Sequence, residues 1–74
     1  MRKILLVDDE VKLLKIISSA LEKKGYRVYT APNGYEARRT FNEKNAEIVF
    51  LDLMLPDING LELLQEFNRL YPQK

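Results

Sequence analysis

Short apolar runs alternate with helical stripes along this chain. Ile4-Leu5-Leu6-Val7 and Ile48-Val49-Phe50-Leu51 are unbroken runs of four apolar residues. They are too short for buried helices and lack period-two alternation, which predicts strands covered on both faces of a parallel sheet. Tyr26 to Ala31 alternates in part, with Arg27 and Thr30 set among Tyr26, Val28 and Tyr29. That pattern suits an edge strand, wet on one side. Between the runs lie residues at helical spacing. Leu13, Leu14, Ile17, Ala20 and Leu21 form one stripe, with Lys12, Lys15, Glu22 and Lys23 mostly off it, and Gly25 stands where a left-handed turn would stop the helix. Pro32-Asn33-Gly34 marks a turn, and Asn33 followed by Glu36 reads as a capping box for a second helix. There Ala37 and Phe41 share a face and Arg38, Arg39 and Lys44 are expected in solvent. Asn59 or Gly60 opens a third helix carrying Leu61, Leu64, Phe67, Leu70 and Tyr71, with Pro72 ending it. The reading gives strands at about 3–8, 26–31 and 47–52 and helices at about 10–24, 34–44 and 59–71.

Strands that alternate with helices imply parallel pairing through right-handed crossovers. The least polar strands belong inside and the half-polar one at an edge, so the expected order is 2-1-3. Strand order then reverses between the first and third strands, where open sheets of this kind bind ligands beyond the carboxyl ends. Asp8 and Asp9 follow the first strand and Asp52 follows the third. The pattern therefore predicts three carboxylates at one crevice.

Composition narrows the chemistry. The 74 residues make one small domain, near the size at which a single core is only marginally stable. Hydrophobic content of 46% is that of a globular chain. The net charge is +1 and basic residues do not cluster, so nothing points to nucleic acid. With no cysteine and no histidine, thiolate or imidazole zinc sites and a Ser-His-Asp triad are excluded within the chain. The apolar run behind Met1-Arg2-Lys3 is too short for a signal peptide or a membrane span, so a cytoplasmic protein is expected.

A carboxylate at the end of a buried strand is costly unless paired. Asp52 is therefore read as a reactive or metal-binding group. The plainer alternative, an Asp that merely turns the following loop, fits poorly with the apolar residues Leu53, Met54 and Leu55 beyond it. Asp8 and Asp9, each taken alone, read equally well as caps of the first helix, and Glu10 reads as a solvated acid favoured by the helix dipole. If all three aspartates converge, their mutual repulsion calls for a cation. Lys12 is the nearest internal candidate, and a hard divalent ion such as Mg²⁺ with oxygen ligands is the simpler solution. Beside such an ion, Asp52 can act as a nucleophile toward a phosphoryl group and form an acyl phosphate.

Ile4-Leu-Leu-Val-Asp-Asp-Glu10, Asn33-Gly34 heading a helix, and Leu51-Asp-Leu-Met-Leu-Pro-Asp-Ile-Asn-Gly60 closely resemble the receiver domain of bacterial two-component response regulators. The resemblance spans residues 1–74. It implies the N-terminal βαβαβα portion of a flavodoxin-like α/β fold: a three-stranded parallel sheet in order 2-1-3 with three helices, completed by a partner chain. It further implies Asp52 as phosphoryl acceptor, loaded from a phosphohistidine on a sensor histidine kinase. Asp9, Asp52 and the backbone carbonyl of Met54 would ligate Mg²⁺, Asp8 would hold it through water, and Pro56 and Gly60 would shape the loop leaving the site. Such a module modifies itself and turns over no substrate.

Receivers of this family carry five strands and five helices. Their hydroxyl residue after the fourth strand and Lys after the fifth have no counterpart here, so a truncated module with impaired phosphorylation is expected. The third strand reads as interior yet lacks an outer neighbour, and the first helical stripe is only partly covered. Both features predict self-association through the Glu47–Asp52 edge or by exchanged helices. The alternative function is a self-assembling fragment with idle acids and no phosphotransfer. A haloacid-dehalogenase-type phosphatase would need a second Asp two residues after the first, where Met54 stands. A flavin or nucleotide half-domain would need a Gly-rich loop after the first strand, which is absent.

Overall fold

The structure, a computed structural model, describes residues 2–52 and 54–70, and of 68–70 only the backbone. Strands β1 (Lys3–Val7), β2 (Arg27–Ala31) and β3 (Ile48–Leu51) alternate with helices α1 (Val11–Lys23), α2 (Gly34–Lys44) and α3 (Gly60–Leu70). The sheet is parallel in order β2-β1-β3. Ile4, Leu5, Leu6 and Val7 are all almost fully buried, as a central strand covered on both faces requires. Leu5 and Val7 face one layer with Ala31, Ala37, Phe41, Leu63 and Phe67, the layer formed by α2 and α3. Ile4 and Leu6 face the other, with Leu14 of α1 and the half-buried Leu21, Tyr26, Val28 and Ile48.

Local chemistry fixes the element ends. Gly25, at φ +95°, ends α1: its N–H donates to the Glu22 carbonyl and the Tyr26 N–H to the Leu21 carbonyl. This is a Schellman turn, and Leu21 and Tyr26 pack in the same cluster. Asn33 Oδ1 accepts the Glu36 N–H at 2.8 Å and caps α2, which closes at Asn45 in the left-handed region. Asn59 Oδ1 accepts the Leu61 N–H at 2.8 Å at the start of α3.

Several expectations about faces need correction. In α3 the inward residues are Gly60, Leu63 and Phe67, whereas Leu61 and Leu64 are exposed. The Leu70 side chain and Tyr71 lie outside the described residues. Apolar residues on α3 exceed one face, and docking decides which are buried: Phe67 stacks on Phe41 of α2 with ring centroids 4.0 Å apart. In α1 only Leu14 of the stripe is buried, while Leu13, Ile17 and Ala20 are exposed, because three strands offer too narrow a floor. Arg38 is not simply solvated. Its guanidinium grips Glu66 of α3 through Nε–Oε2 at 2.7 Å and a second N–H to Oε1 at 3.0 Å. Arg39 pairs with Glu36 at 3.3 Å, and the Lys44 ammonium sits over the Tyr29 ring. β3, apolar throughout, is an edge strand with Phe50 54% exposed.

Candidate functional site

β1 and β3 deliver their acids at one height. Val7 pairs with Leu51 in register, and the ladder continues one step: the Asp52 N–H donates to the Val7 carbonyl at 2.9 Å. On the other flank the Asp8 N–H donates to the Ala31 carbonyl at 3.1 Å. Asp8 and Asp52 thus follow adjacent strands at their carboxyl ends, with Asp9 next to them. One carboxylate oxygen from each of Asp8, Asp9 and Asp52 lies within 4.8 Å of the others. Asp8 and Asp52 are half-buried and Asp9 is exposed.

The hydrogen bonds around the cluster leave its chemistry open. Asp8 Oδ1 accepts the Glu10 N–H at 2.9 Å, which turns the chain into α1. The residue at the N-cap of α1 is Glu10, and its side chain makes no capping hydrogen bond. Neither Asp8 nor Asp9 stands at the N-cap of α1. Asp52 Oδ1 accepts the Met54 N–H at 3.0 Å, and Oδ2 has no hydrogen bond among the described residues. The ion pairs found among the described residues, Arg38–Glu66 and Arg39–Glu36, do not touch the cluster, and Lys12 is in neither. Carboxylate oxygens at this spacing, with no cationic side chain among the described residues paired to them, form a donor set suited to a hard divalent cation such as Mg²⁺.

Beyond Asp52, Met54 and Asn59 form an isolated antiparallel bridge that closes the loop between them. At its tip Asp57 reaches the start of α2. Its Oδ1 accepts the Gly34 N–H at 2.8 Å and its Oδ2 the Tyr35 N–H at 2.9 Å. The Gly34 N–H foremost, then the Tyr35 N–H, hold the Asp57 carboxyl below the usual carboxylate range. Gly34 is required here by close approach, since a Cβ on it would collide with Ile58 Cγ2. Sequence reasoning assigned Asp57 no role. An Asp between Pro56 and Gly60 reads as a turn former, and nothing local shows that its partners lie 23 and 22 residues upstream.

An open parallel sheet with an acid cluster at its switch point defines a class of α/β ligand-binding proteins, and the comparisons narrow it. The sequence profile described as Response regulator receiver domain matches residues 4–74. Transcriptional regulatory protein CpxR homolog of Haemophilus influenzae is 45% identical over 69 residues, 93% of this chain but 30% of its own length. The chain also covers 26% of the probable transcriptional regulator ycf27 of Guillardia theta, so it spans under a third of these curated relatives. Among solved structures, response regulator TrrA of Thermotoga maritima, in complex with Mg(2+)-BeF, is 38% identical at a TM-score of 0.89. That match covers 96% of this chain and 62% of TrrA. A CheY-like receiver domain protein of Methanospirillum hungatei gives a TM-score of 0.94 at 32% identity, over 97% of this chain and 58% of that one. TrrA was also solved in complex with histidine kinase ThkA, matching at 39% identity and a TM-score of 0.86 over 93% of this chain and 60% of that one. This chain belongs to the response regulator receiver domain family.

Proposed function

We propose that the chain is the phosphoryl-accepting part of a two-component relay, with Asp52 as the acceptor. The observation that carries this is the meeting of Asp8, Asp9 and Asp52 at the carboxyl ends of β1 and β3. Asp52 Oδ2, with Oδ1 occupied by the Met54 N–H, is the oxygen free to attack. It forms the new bond to phosphorus as the donor's phosphorus–nitrogen bond breaks, and the departing imidazole keeps the electron pair and takes a proton. The product is an acyl phosphate on the chain itself, so the module is modified rather than turning over a substrate.

Asp9, Asp52 and the Met54 carbonyl would ligate Mg²⁺, with Asp8 acting through water. When bound, the ion supplies positive charge that offsets the three carboxylates and the incoming phosphoryl oxygens. TrrA's complexes with Mg(2+)-BeF and with a histidine kinase support a sensor kinase as donor and Mg²⁺ as cofactor. Among the described residues no helix is long and apolar enough to cross a membrane. The compartment this reading assigns is the cytoplasm. Incubation with acetyl phosphate and MgCl₂ should add one phosphoryl group by intact mass, and Asp52→Asn should add none. Absence of label on this chain, beside a labelled full-length relative, would remove the activity.

A second reading is favoured by the exposed apolar surface. Phe50 on the open edge of β3 and Val11, Ile16 and Ile17 on α1 are all exposed. A second copy pairing along β3 or exchanging helices would cover them, with the acids idle.

A further inference from the structure

The loop after β3 is fastened at three points, and each bears on Asp52. The Met54 N–H donates to Asp52 Oδ1, Met54 pairs with Asn59, and Asp57 between them accepts two N–H groups from α2. Ile58 lies close against Gly34, where a Cβ would collide with it, so the loop packs directly on the backbone at the start of α2. We propose that Asp57 is a positioning residue for the Asp52 site: by anchoring the loop to the first turn of α2 it fixes the peptide of Met54, and with it the Asp52 rotamer and the carbonyl offered to the cation.

Physical reasons favour this anchor over an incidental surface contact. Two N–H donors at a helix start engage both oxygens of one carboxylate, which removes its rotational freedom and places its charge where the helix dipole favours it. The contact joins segments far apart in sequence, so it is an external reference for the loop. The Met54–Asn59 bridge then transmits that reference to the peptide beside Asp52. Partners outside the ligand shell commonly set metal affinity in this way. The inference rests on the reading of Asp8, Asp9 and Asp52 as a cation site.

The test is a MgCl₂ titration of the ¹⁵N-labelled full chain, following the Asp9, Asp52 and Met54 amides, for the parent, Asp57→Ala, Asp57→Asn and Glu66→Ala. Urea midpoints are measured for each. Asp57→Ala should weaken Mg²⁺ binding about three- to tenfold, below or at the low end of what loss of an outer partner costs. It should also move the Met54 amide resonance before metal is added. Asp57→Asn keeps an acceptor oxygen for one N–H and should recover part of the affinity. Glu66→Ala breaks the neighbouring α2–α3 contact while keeping the Arg38 charge that Asp57 feels, and should lower the urea midpoint while leaving Mg²⁺ affinity unchanged. Asp57→Ala binding like the parent would overturn the proposal. So would affinity that merely tracks urea midpoint across the variants, including failure of Asp57→Ala to fold. A parent that shows no Mg²⁺ response overturns the cation-site reading beneath it, a separate and earlier failure.

Discussion

Individual residues set the electrostatics of this molecule. Asp52 sits half-buried beside Asp8 and Asp9, so neutralising it relieves like-charge repulsion. Asn keeps the oxygen that accepts the Met54 N–H. Asp52→Asn should therefore raise the thermal midpoint in metal-free, low-salt buffer, and the gain should shrink or reverse with millimolar MgCl₂, which stabilises only the parent by mass action. Calorimetric scans with and without Mg²⁺ check both signs. Asp57 gives a pH dependence of known direction. Its folded pKa is held below the unfolded value by the Gly34 and Tyr35 N–H groups. Its contribution is thus fully present above the unfolded value, roughly 3.9, and is lost as pH falls through the folded one. Between pH 5 and pH 2 the urea midpoint of Asp57→Asn should fall less than that of the parent.

Helices are placed by which of their apolar residues find the sheet. Leu63 is fully buried in the α2–α3 layer, while Leu64, its neighbour in sequence, is 38% exposed. Leu63→Ala should cost about 2–5 kcal/mol, a large part of the stability of so small a domain. Leu64→Ala should stay within about 1 kcal/mol. Urea unfolding of the two variants distinguishes the observed face from the Leu61-Leu64-Phe67 face that spacing suggests. The Arg38–Glu66 fork braces α2 against α3, and the hydrogen bond and charge of Glu66 push the Arg38 pKa still higher. The pair is partly exposed, so its loss should cost no more than about 1 kcal/mol.

At the scale of the molecule, one side is well covered and the other is open. Among the described residues, seven buried side chains seal the layer under α2 and α3, whereas the α1 side buries three and leaves Phe50 of β3 and Ile17 of α1 exposed. In this chain by itself, sedimentation at micromolar concentration should reveal association, and Phe50→Lys should shift it toward monomer. A compact, cooperatively folded monomer would count against the second-copy reading.

The sequence by itself determined the alternation of elements, the central place of Ile4–Val7, the edge position of the Arg27 strand and the convergence of Asp8, Asp9 and Asp52. These follow from short-range periodicity and from the rule that parallel strands joined by crossovers end on the same side. Capping by Asn33 and the turn at Gly25 were legible for the same reason, because their partners lie within one helical turn. Tertiary structure alone decided which apolar face of α3 is buried, the Arg38–Glu66 brace and the Asp57 anchor on α2. Each depends on how two distant segments pack, and a residue cannot show in its own neighbourhood which surface will meet it.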